Sequence, residues 1–344
     1  MDKENRFLIV LKKVADWQLS NPRHKDTDWQ NGALYAGIMA LYQTTKDDRY
    51  LNALLSVTEK NGWKLGARTR FADDHCIGQL YLDLYFIRKQ PWMIEAVLET
   101  FTKMLIAPEK GRIEWYWCDA LFMAPPALAQ LAAATGDRAY LDLMNTMWWD
   151  TTDYLYDTVE HLYFRDERFF NKKENNGKKV FWSRGNGWVL AGLVRVLQYM
   201  PEDYPEKERY KSLFREMSDR VVSLQCEDGF WKSSLLDPES YPGGESSGTA
   251  FFTYAIAWGI NSGYLPSQTY LPVVKKGWTA LVSAVEAPGK VGWVQQSDDR
   301  PRLVKKEDTE TYGAGAFLLA GSEMIKLLST ESSARSKKRT MPVR

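Results

Sequence analysis

Two kinds of apolar segment alternate along the chain. One kind opens with polar residues that include Gly or Asp and continues as a run of small, apolar and aromatic residues. Six such segments occur, and they start at Trp29, Phe71, Tyr116, Phe181, Gly243 and Glu307. Because these runs are apolar on every side, they predict buried helices rather than surface helices.

The other kind of segment is amphipathic. Its apolar positions recur at helical spacing among charged residues, as at Met93, Val97 and Phe101. These segments cover residues 5–19, 48–61, 91–106, 137–154, 206–225 and 268–284. Each precedes or follows a buried helix, so the chain predicts helical hairpins with one buried and one half-exposed helix each.

Six amphipathic helices alternating with six buried helices predict an all-α fold, a single (α/α)6 toroid in which inner helices are ringed by outer ones. A stacked solenoid also alternates helices, but its repeats usually run about 20 to 47 residues. Two successive buried segments here start as far apart as Tyr116 and Phe181, which favours the closed toroid.

We predict one catalytic domain over residues 1–328. Residues 329–344 hold five basic residues, one acidic residue and few apolar ones, which predicts a disordered basic tail. Three polar, turn-rich loops at 155–182, 227–246 and 287–310 lead into the last three inner helices. Loops gathered at one end of a rigid scaffold are where functional sites form.

Charge and composition exclude several classes. The 45 Lys and Arg against 44 Asp and Glu leave no basic excess, so we expect no nucleic-acid partner. Three separated Cys and three His, none at metal-ligand spacing, argue against a disulfide framework and a metal site. No apolar run has the length of a secretory or transmembrane segment, so we expect a cytoplasmic protein without a membrane partner, as a monomer or weak homodimer.

Aromatic residues are in surplus, with 14 Trp where a share of roughly one per cent is usual. The informative ones lie beside acids and an Arg at the starts of the buried helices. They are Trp29, Trp117, Trp182 and Trp188, near Asp73, Asp74, His75, Asp119 and Arg184. In a toroid the inner helices run in one direction, so these residues meet at one mouth, where the helix dipoles favour an anionic ligand.

Other interpretations of each residue stay open at this point. Asp73, Asp74 and Asp119 could be helix caps, although an apolar run directly after Asp119 makes this weaker there. Arg184 could pair with a loop acid, the indoles could be core, and His75 could be structural. Taken together, stacking rings, paired acids and an Arg indicate a sugar ligand, because rings stack on sugar faces, Arg binds carboxylates and paired acids suit glycosidic chemistry.

Three segments resemble a known family. FADDHCIGQLYLDLY (71–85), YWCDALFMAPPALAQL (116–131) and FWSRGNGWVLAGLVRVL (181–197) are similar to the unsaturated glucuronyl and rhamnogalacturonyl hydrolases of glycoside hydrolase families 88 and 105, and closest to the rhamnogalacturonyl group. The resemblance spans about residues 6–328. It implies the (α/α)6 fold, no cofactor, and an oligosaccharide substrate with a 4,5-unsaturated uronic acid at its non-reducing end.

The resemblance also implies roles for single residues. Asp119 would be the acid/base that protonates C4 of the ring, after which water adds at C5, and Asp74 would be the second acid. The substrate would be bound by Trp29, Gln30, Trp117, Trp182, Arg184, Trp188, His75 and Arg165. Many family members have His where this chain has Pro108 and Arg165, so Arg112 or Arg165 is expected to serve a different carboxylate or linkage.

Three alternatives compete with this reading. The first is a sugar 2-epimerase or another (α/α)6 glycosidase, and the epimerase relies on His residues deep in the barrel, where this sequence has few. A terpenoid cyclase needs an Asp-rich metal motif, for which ADDHC is a poor match. A non-catalytic scaffold or lectin predicts that Asp119→Asn leaves the biological role intact.

Overall fold

Helices make up most of the chain that the structure describes. A computed structural model covers residues 3–339, with side chains described for residues 4–330. In chain order the α-helices are α1 (Lys3–Ser20), α2 (Trp29–Thr45), α3 (Asp48–Asn61), α4 (Ala72–His75), α5 (Gly78–Arg88), α6 (Glu95–Ile106), α7 (Gly111–Glu114), α8 (Ala120–Met123), α9 (Pro125–Thr135), α10 (Ala139–Leu155), α11 (Ser183–Leu197), α12 (Lys207–Val222), α13 (Ser246–Asn261), α14 (Ser267–Ser283) and α15 (Thr311–Arg339).

Short elements fill some of the connections. Strands β1 (Tyr156–Asp157) and β2 (Leu162–Tyr163) form an antiparallel hairpin, with Tyr156 opposite Tyr163. Three 3-10 turns lie at Pro91–Ile94, Glu167–Phe169 and Pro238–Ser240. The hairpin directs the chain after β2 toward the end of the ring where the inner helices begin.

The helices close into a ring. Each inner helix contacts the next, in the order α2, α5, α9, α11, α13 and α15, and α15 packs back against α2. This last contact confirms the predicted (α/α)6 toroid, since the two ends of a solenoid do not meet. At the seam a methyl group on Gly37 would lie 2.3 Å from the Gly315 carbonyl oxygen, so the two helix backbones touch where neither residue has a side chain.

Two inner helices are broken, although the sequence predicts them as continuous. The second is divided into α4 and α5 by a tight turn at Cys76 and Ile77. The third is divided at Ala124, because Pro125 and Pro126 lack the amide hydrogens that would continue α8, yet proline is well suited to the first turn of a new helix. The short pieces α4 and α8 are therefore separate units at the mouth of the ring.

The far end of the ring axis is closed by a buried polar cluster. Arg195 on α11 donates to Gln79 at 2.5 Å and lies 3.3 Å from the Asp83 carboxylate, which also accepts from Gln130 and Tyr199. Opposite charges and hydrogen bonds compensate for the burial of this pair. The ring is thus open at the inner-helix N-termini, while toward their C-termini this cluster lines a smaller cavity of about 90 Å³.

The final helix is longer than the sequence suggests. Its backbone continues to Arg339, so it extends into the segment for which the sequence predicts a disordered tail from residue 329. Residues 340–344 lie outside the described part of the chain. Over the described residues, no helix combines the length and the apolar character that crossing a bilayer requires.

Candidate active site

A cavity of about 170 Å³ lies at the N-terminal end of the inner helices. Its wall is formed by aromatic rings, carboxylates and guanidinium groups from several inner helices and the loops beside them. The lining residues are Trp29, Asp73, Trp117, Asp119, Met123, Arg165, Trp182, Arg184, Trp188 and Asp298. Seven of the ten side chains predicted from the sequence meet here, and the other three, Gln30, Asp74 and His75, do not.

Asp119 is held at the start of α8 without acting as its cap. Its backbone has helical angles and its side chain makes no capping hydrogen bond. The residue is only 6% exposed, and in the described part of the structure neither carboxyl oxygen has a hydrogen-bond partner. Burial raises the pKa of Asp119, against the opposing influence of the Arg165 and Arg184 charges. A buried acid with free oxygens is what a proton donor needs.

The second acid of the cavity is Asp73, which corrects the prediction of Asp74. The Asp74 carboxylate accepts from the Arg68 backbone amide at 2.7 Å and from its guanidinium at 2.6 Å. It packs against Gly66, where a methyl group would lie 2.3 Å from the Asp74 carboxyl carbon. Asp74 is thereby turned away from the cavity and shapes the loop before α4.

Asp73 faces the cavity from α4. Burial, and to a lesser degree the Asp119 charge, raises the pKa of Asp73 to about 7. The two acids are close enough to influence each other, so the pair favours a state that retains a proton.

His75 and Gln30 also lie outside the cavity. His75 is 1% exposed, its Nε2 lies 2.9 Å from the Thr69 carbonyl, and its ring packs edge-on against Phe101. Burial lowers the pKa of His75 to about 4, so it is a neutral structural residue at pH 7. Gln30 follows Trp29 on α2 but is not part of the cavity wall.

Aromatic rings make two walls of the cavity. Trp117 stacks on Phe71 with ring centroids 4.8 Å apart, which fixes its plane. Trp29 stacks on Tyr312 at 5.3 Å and meets Trp188 edge-on at 5.9 Å. These contacts hold the indoles before a ligand arrives, as stacking on a sugar ring requires.

Arg184 organises the loop that precedes α15. Its guanidinium donates to the carbonyls of Gln295 at 2.6 Å, Gln296 at 3.1 Å and Asp298 at 3.4 Å. It also lies over the rings of Trp182 and Tyr312, at 4.4 and 4.8 Å from their centroids. Arg184 therefore contributes positive charge to the cavity and fixes the loop that carries Asp298.

Arg165 comes from the chain after β2. The Arg165 carbonyl accepts from the Cys118 amide at 2.8 Å, which ties this segment to the residue before Asp119. Its Nε lies 3.2 Å from Asp119 Oδ2, while its Nη1 donates to Asp166 at 2.7 Å. Arg165 thus places a permanent cation beside the buried acid.

Sequence reasoning missed Asp298, Met123 and Tyr312 as parts of the site. Asp298 lies in a loop whose path depends on Arg184, a contact that no local pattern shows. Tyr312 lies in the first turn of α15, so it could have been found as an aromatic residue at the start of a buried helix, as the other aromatic residues were. Among the described residues, no group of three or more His, Cys, Asp or Glu side chains is arranged to hold a metal ion.

Comparison with known proteins agrees with this geometry. Residues 3–328 match the model of Glycosyl Hydrolase Family 88. The chain is 41% identical, over 92% of its length and 89% of the relative's, to the unsaturated 3S-rhamnoglycuronyl hydrolase of Formosa agariphila. It is 26% identical, over 78% of both chains, to an unsaturated rhamnogalacturonyl hydrolase of Bacillus subtilis.

Solved structures show the same fold. One named as a family 88 glycosyl hydrolase from Bacteroides vulgatus has a TM-score of 0.90 and 31% identity, over 94% of this chain and 99% of that one. Another, named as a polysaccharide lyase, has a TM-score of 0.91 and 33% identity, over 96% and 99%. The chain belongs to glycosyl hydrolase family 88.

Proposed function

We propose that this protein removes a 4,5-unsaturated uronic acid from the non-reducing end of oligosaccharides made by polysaccharide lyases. The observation that carries the proposal is the buried Asp119 carboxyl, whose oxygens accept no hydrogen bond from the described residues, in a cavity with aromatic walls, a second acid and two arginines. The family and the names of the relatives support the reaction class. The His-dependent epimerase alternative is disfavoured, because no His in the described part of the chain lines the cavity and His75, the last residue of α4, is buried.

Asp119 in its protonated form donates to C4 of the ring. The C4=C5 double bond is an enol ether, so adding a proton at C4 leaves a positive charge shared between C5 and the ring oxygen. Asp119 is then ionised and accepts a proton from water as that water bonds to C5. The resulting hemiketal opens to a ketone at C5, C1 becomes a hemiacetal, and its collapse to an aldehyde releases the next sugar.

Asp73 replaces Asp74 as the second acid in this proposal. As a carboxylate it stabilises the positive charge at C5 and the ring oxygen, and in either protonation state it can hydrogen-bond ring hydroxyls. Arg184 provides positive charge for the substrate carboxylate. The attraction between these two charges is stronger in the cavity than in bulk water, because the effective dielectric constant is lower there. Trp29, Trp117, Trp182 and Trp188 bind the ring faces.

The substrate we propose has rhamnose next to the unsaturated uronic acid. Lyase elimination makes C4 and C5 planar, so glucuronic and galacturonic acids give the same unsaturated ring, and one cavity serves both. Rhamnogalacturonan fragments were expected from the sequence. The 41% identical relative is named for 3-sulfated rhamnose, and this greater similarity favours sulfated rhamnoglycuronan fragments as a second candidate.

The test follows the near-ultraviolet absorbance of the conjugated double bond. Hydration destroys this absorbance, whereas a lyase acting on intact polysaccharide creates it, so the sign of the change separates the two reaction classes. We expect a fall with lyase-digested rhamnogalacturonan, sulfated rhamnoglycuronan or both, and none with the undigested polymers. A steady absorbance with every lyase-made fragment, or a rise with intact polymer, would refute the proposal.

A further inference from the structure

Asp119 and Arg165 form an ion pair in which no hydrogen bond is made. Asp119 Oδ2 and Arg165 Nε lie 3.2 Å apart, yet each is buried without a hydrogen-bond partner in the described structure. A carboxylate and a guanidinium N–H at this distance ordinarily form a strong charge-assisted hydrogen bond. Something must therefore hold the guanidinium in an orientation that directs its Nε–H away from the carboxyl oxygens.

Asp166 is the group that does so. It is 2% exposed and accepts the Arg165 Nη1 hydrogen bond at 2.7 Å. It is itself fixed, because Arg168 donates to both of its oxygens at 2.8 and 2.7 Å and the Arg168 amide donates to it at 3.0 Å. Arg168 in turn is bound to Asp299 at 2.7 Å, so Asp166 cannot follow Arg165 toward the cavity.

We propose that Asp166 is a positioning residue that holds the Arg165 guanidinium back from Asp119 and so keeps Asp119 protonated as the acid of the reaction. This rests on the proposed function and extends it to a residue outside the cavity wall. Without the Asp166 charge to fix Nη1, Arg165 would need only a small rotation to bind Asp119 through Nε and Nη2. The acid would then be ionised and its oxygens occupied.

Other charges also face Asp119 and set the background for the test. Burial, the Asp166 charge and the neighbouring acid oppose ionisation, while the two arginines favour it. The groups are Asp73 from α4, Arg165 and Asp166 from the chain after β2, Arg184 from α11 and Asp298 from the loop before α15. Only Asp166 bonds directly to the arginine beside the acid, so its removal changes both charge and geometry there.

The experiment measures kcat against pH for the wild type and for Asp166→Asn. Because Asp119 acts in its protonated form, kcat falls as pH rises through its pKa. Asp166→Asn should move this alkaline limb to lower pH by about one unit or more, the usual effect of an opposite charge in contact with a carboxyl. Arg165→Gln should move it to higher pH. Asp166→Asn added to Arg165→Gln should lower it much less than Asp166→Asn does in the wild type, because only the direct effect of the Asp166 charge on Asp119 then remains.

Three controls make the outcome decisive. Asp299→Asn takes a carboxylate from Arg168 and leaves the Arg165–Asp166 bond in place, so its alkaline limb should move much less than that of Asp166→Asn. Asp166→Glu should restore the wild-type limb, and Asp166→Ser, which can still cap the 3-10 turn at Glu167–Phe169, serves if Asp166→Asn does not fold. A wild type without activity contradicts the proposed function, whereas an active wild type and an unmoved limb in folded Asp166→Asn or Asp166→Ser overturns this inference alone.

Discussion

Trp29 and Tyr312 stack with their ring planes 18° apart, and they join the first inner helix to the last at the wall of the cavity. The Tyr312 hydroxyl also donates to the Gln295 carbonyl at 2.5 Å, next to the bond that Arg184 makes to the same oxygen. The closure of the ring and the shape of the cavity are therefore linked at one pair of rings.

Replacing Tyr312 should show what this stack contributes. Tyr312→Phe keeps the ring against Trp29, whereas Tyr312→Leu removes it and frees the indole. An aromatic pair is worth about 0.5–1.5 kcal/mol beyond its buried area, so Tyr312→Leu should raise KM about two- to ten-fold more than Tyr312→Phe. Steady-state kinetics on one defined oligosaccharide measures the difference, and equal KM values would show that Trp29 is oriented by other contacts.

Substitution of Asp119 should remove the chemistry and spare binding. Asp119→Asn cannot donate the proton to C4, and a positioned acid or base contributes on the order of 10²- to 10⁴-fold to a rate. We expect kcat to fall by at least that range, while the variant still binds substrate in calorimetry. Turnover close to that of the wild type would remove Asp119 from the mechanism and support a non-catalytic role.

The two adjacent acids should behave differently. Asp73→Asn should lower kcat by a factor on the order of 10² or more, because Asp73 faces the reacting ring. Asp74→Asn loses an ion pair with a mostly exposed Arg68, which should cost about 1 kcal/mol of stability or less and leave kcat within a few-fold. Kinetics and thermal unfolding of both variants check this, and the reverse order of effects would reinstate Asp74 as the second acid.

Stability should fall as pH rises through the titration of Asp73. Its pKa is about 7 in the folded protein and about 4 when the chain is unfolded, so between these values the folded state binds more protons. The free energy of unfolding from this group therefore decreases from about pH 4 to pH 7 and stays low above it. The melting temperature of Asp73→Asn should increase relative to that of the wild type as pH rises. Parallel curves of melting temperature against pH would contradict the raised pKa.

The ring seam should not tolerate a methyl group. Gly37→Ala would force α2 away from the Gly315 carbonyl, and such overpacking costs about 1–3 kcal/mol. Gly78→Ala on α5 is the matched control, since its nearest neighbours are flexible side-chain atoms of Leu65 at 3.3 Å and Val97 at 3.4 Å. Denaturant unfolding should show a lower free energy of unfolding for Gly37→Ala but not for Gly78→Ala. Equal stability of the two variants would mean that the two helices can separate at the seam without a cost in free energy.

Hydrophobic patterning was sufficient to predict the ring. The alternation of all-apolar and amphipathic runs placed the inner helices correctly, because a helix that is buried on every side has apolar residues on every side. The breaks before α5 and α9 were not predicted. In the latter case the paired prolines were visible, but an apolar run around them reads equally well as one helix.

The sequence predicted those site residues whose place in the hydrophobic pattern shows that they lie near a helix start. Trp117, Asp119, Arg184 and Trp188 lie at helix starts, and a toroid brings all such starts together. The choice between Asp73 and Asp74 depended on Arg68 and Gly66, which lie in a loop whose path the pattern does not show. Asp298 was missed for the same reason, since its place depends on the carbonyl contacts of Arg184.

In the broken inner helices, the segments that hold the acids of the site differ from the segments that pack the ring, and this bears on how the fold evolves. Asp73 lies on α4, and Asp119 lies at the start of α8. Each of these helices has four residues and ends before the longer helix that packs into the ring. A substitution in such a piece can re-aim an acid without moving α5 or α9. The toroid can therefore keep its architecture while its reaction diversifies, with new specificities arising by local change at the mouth.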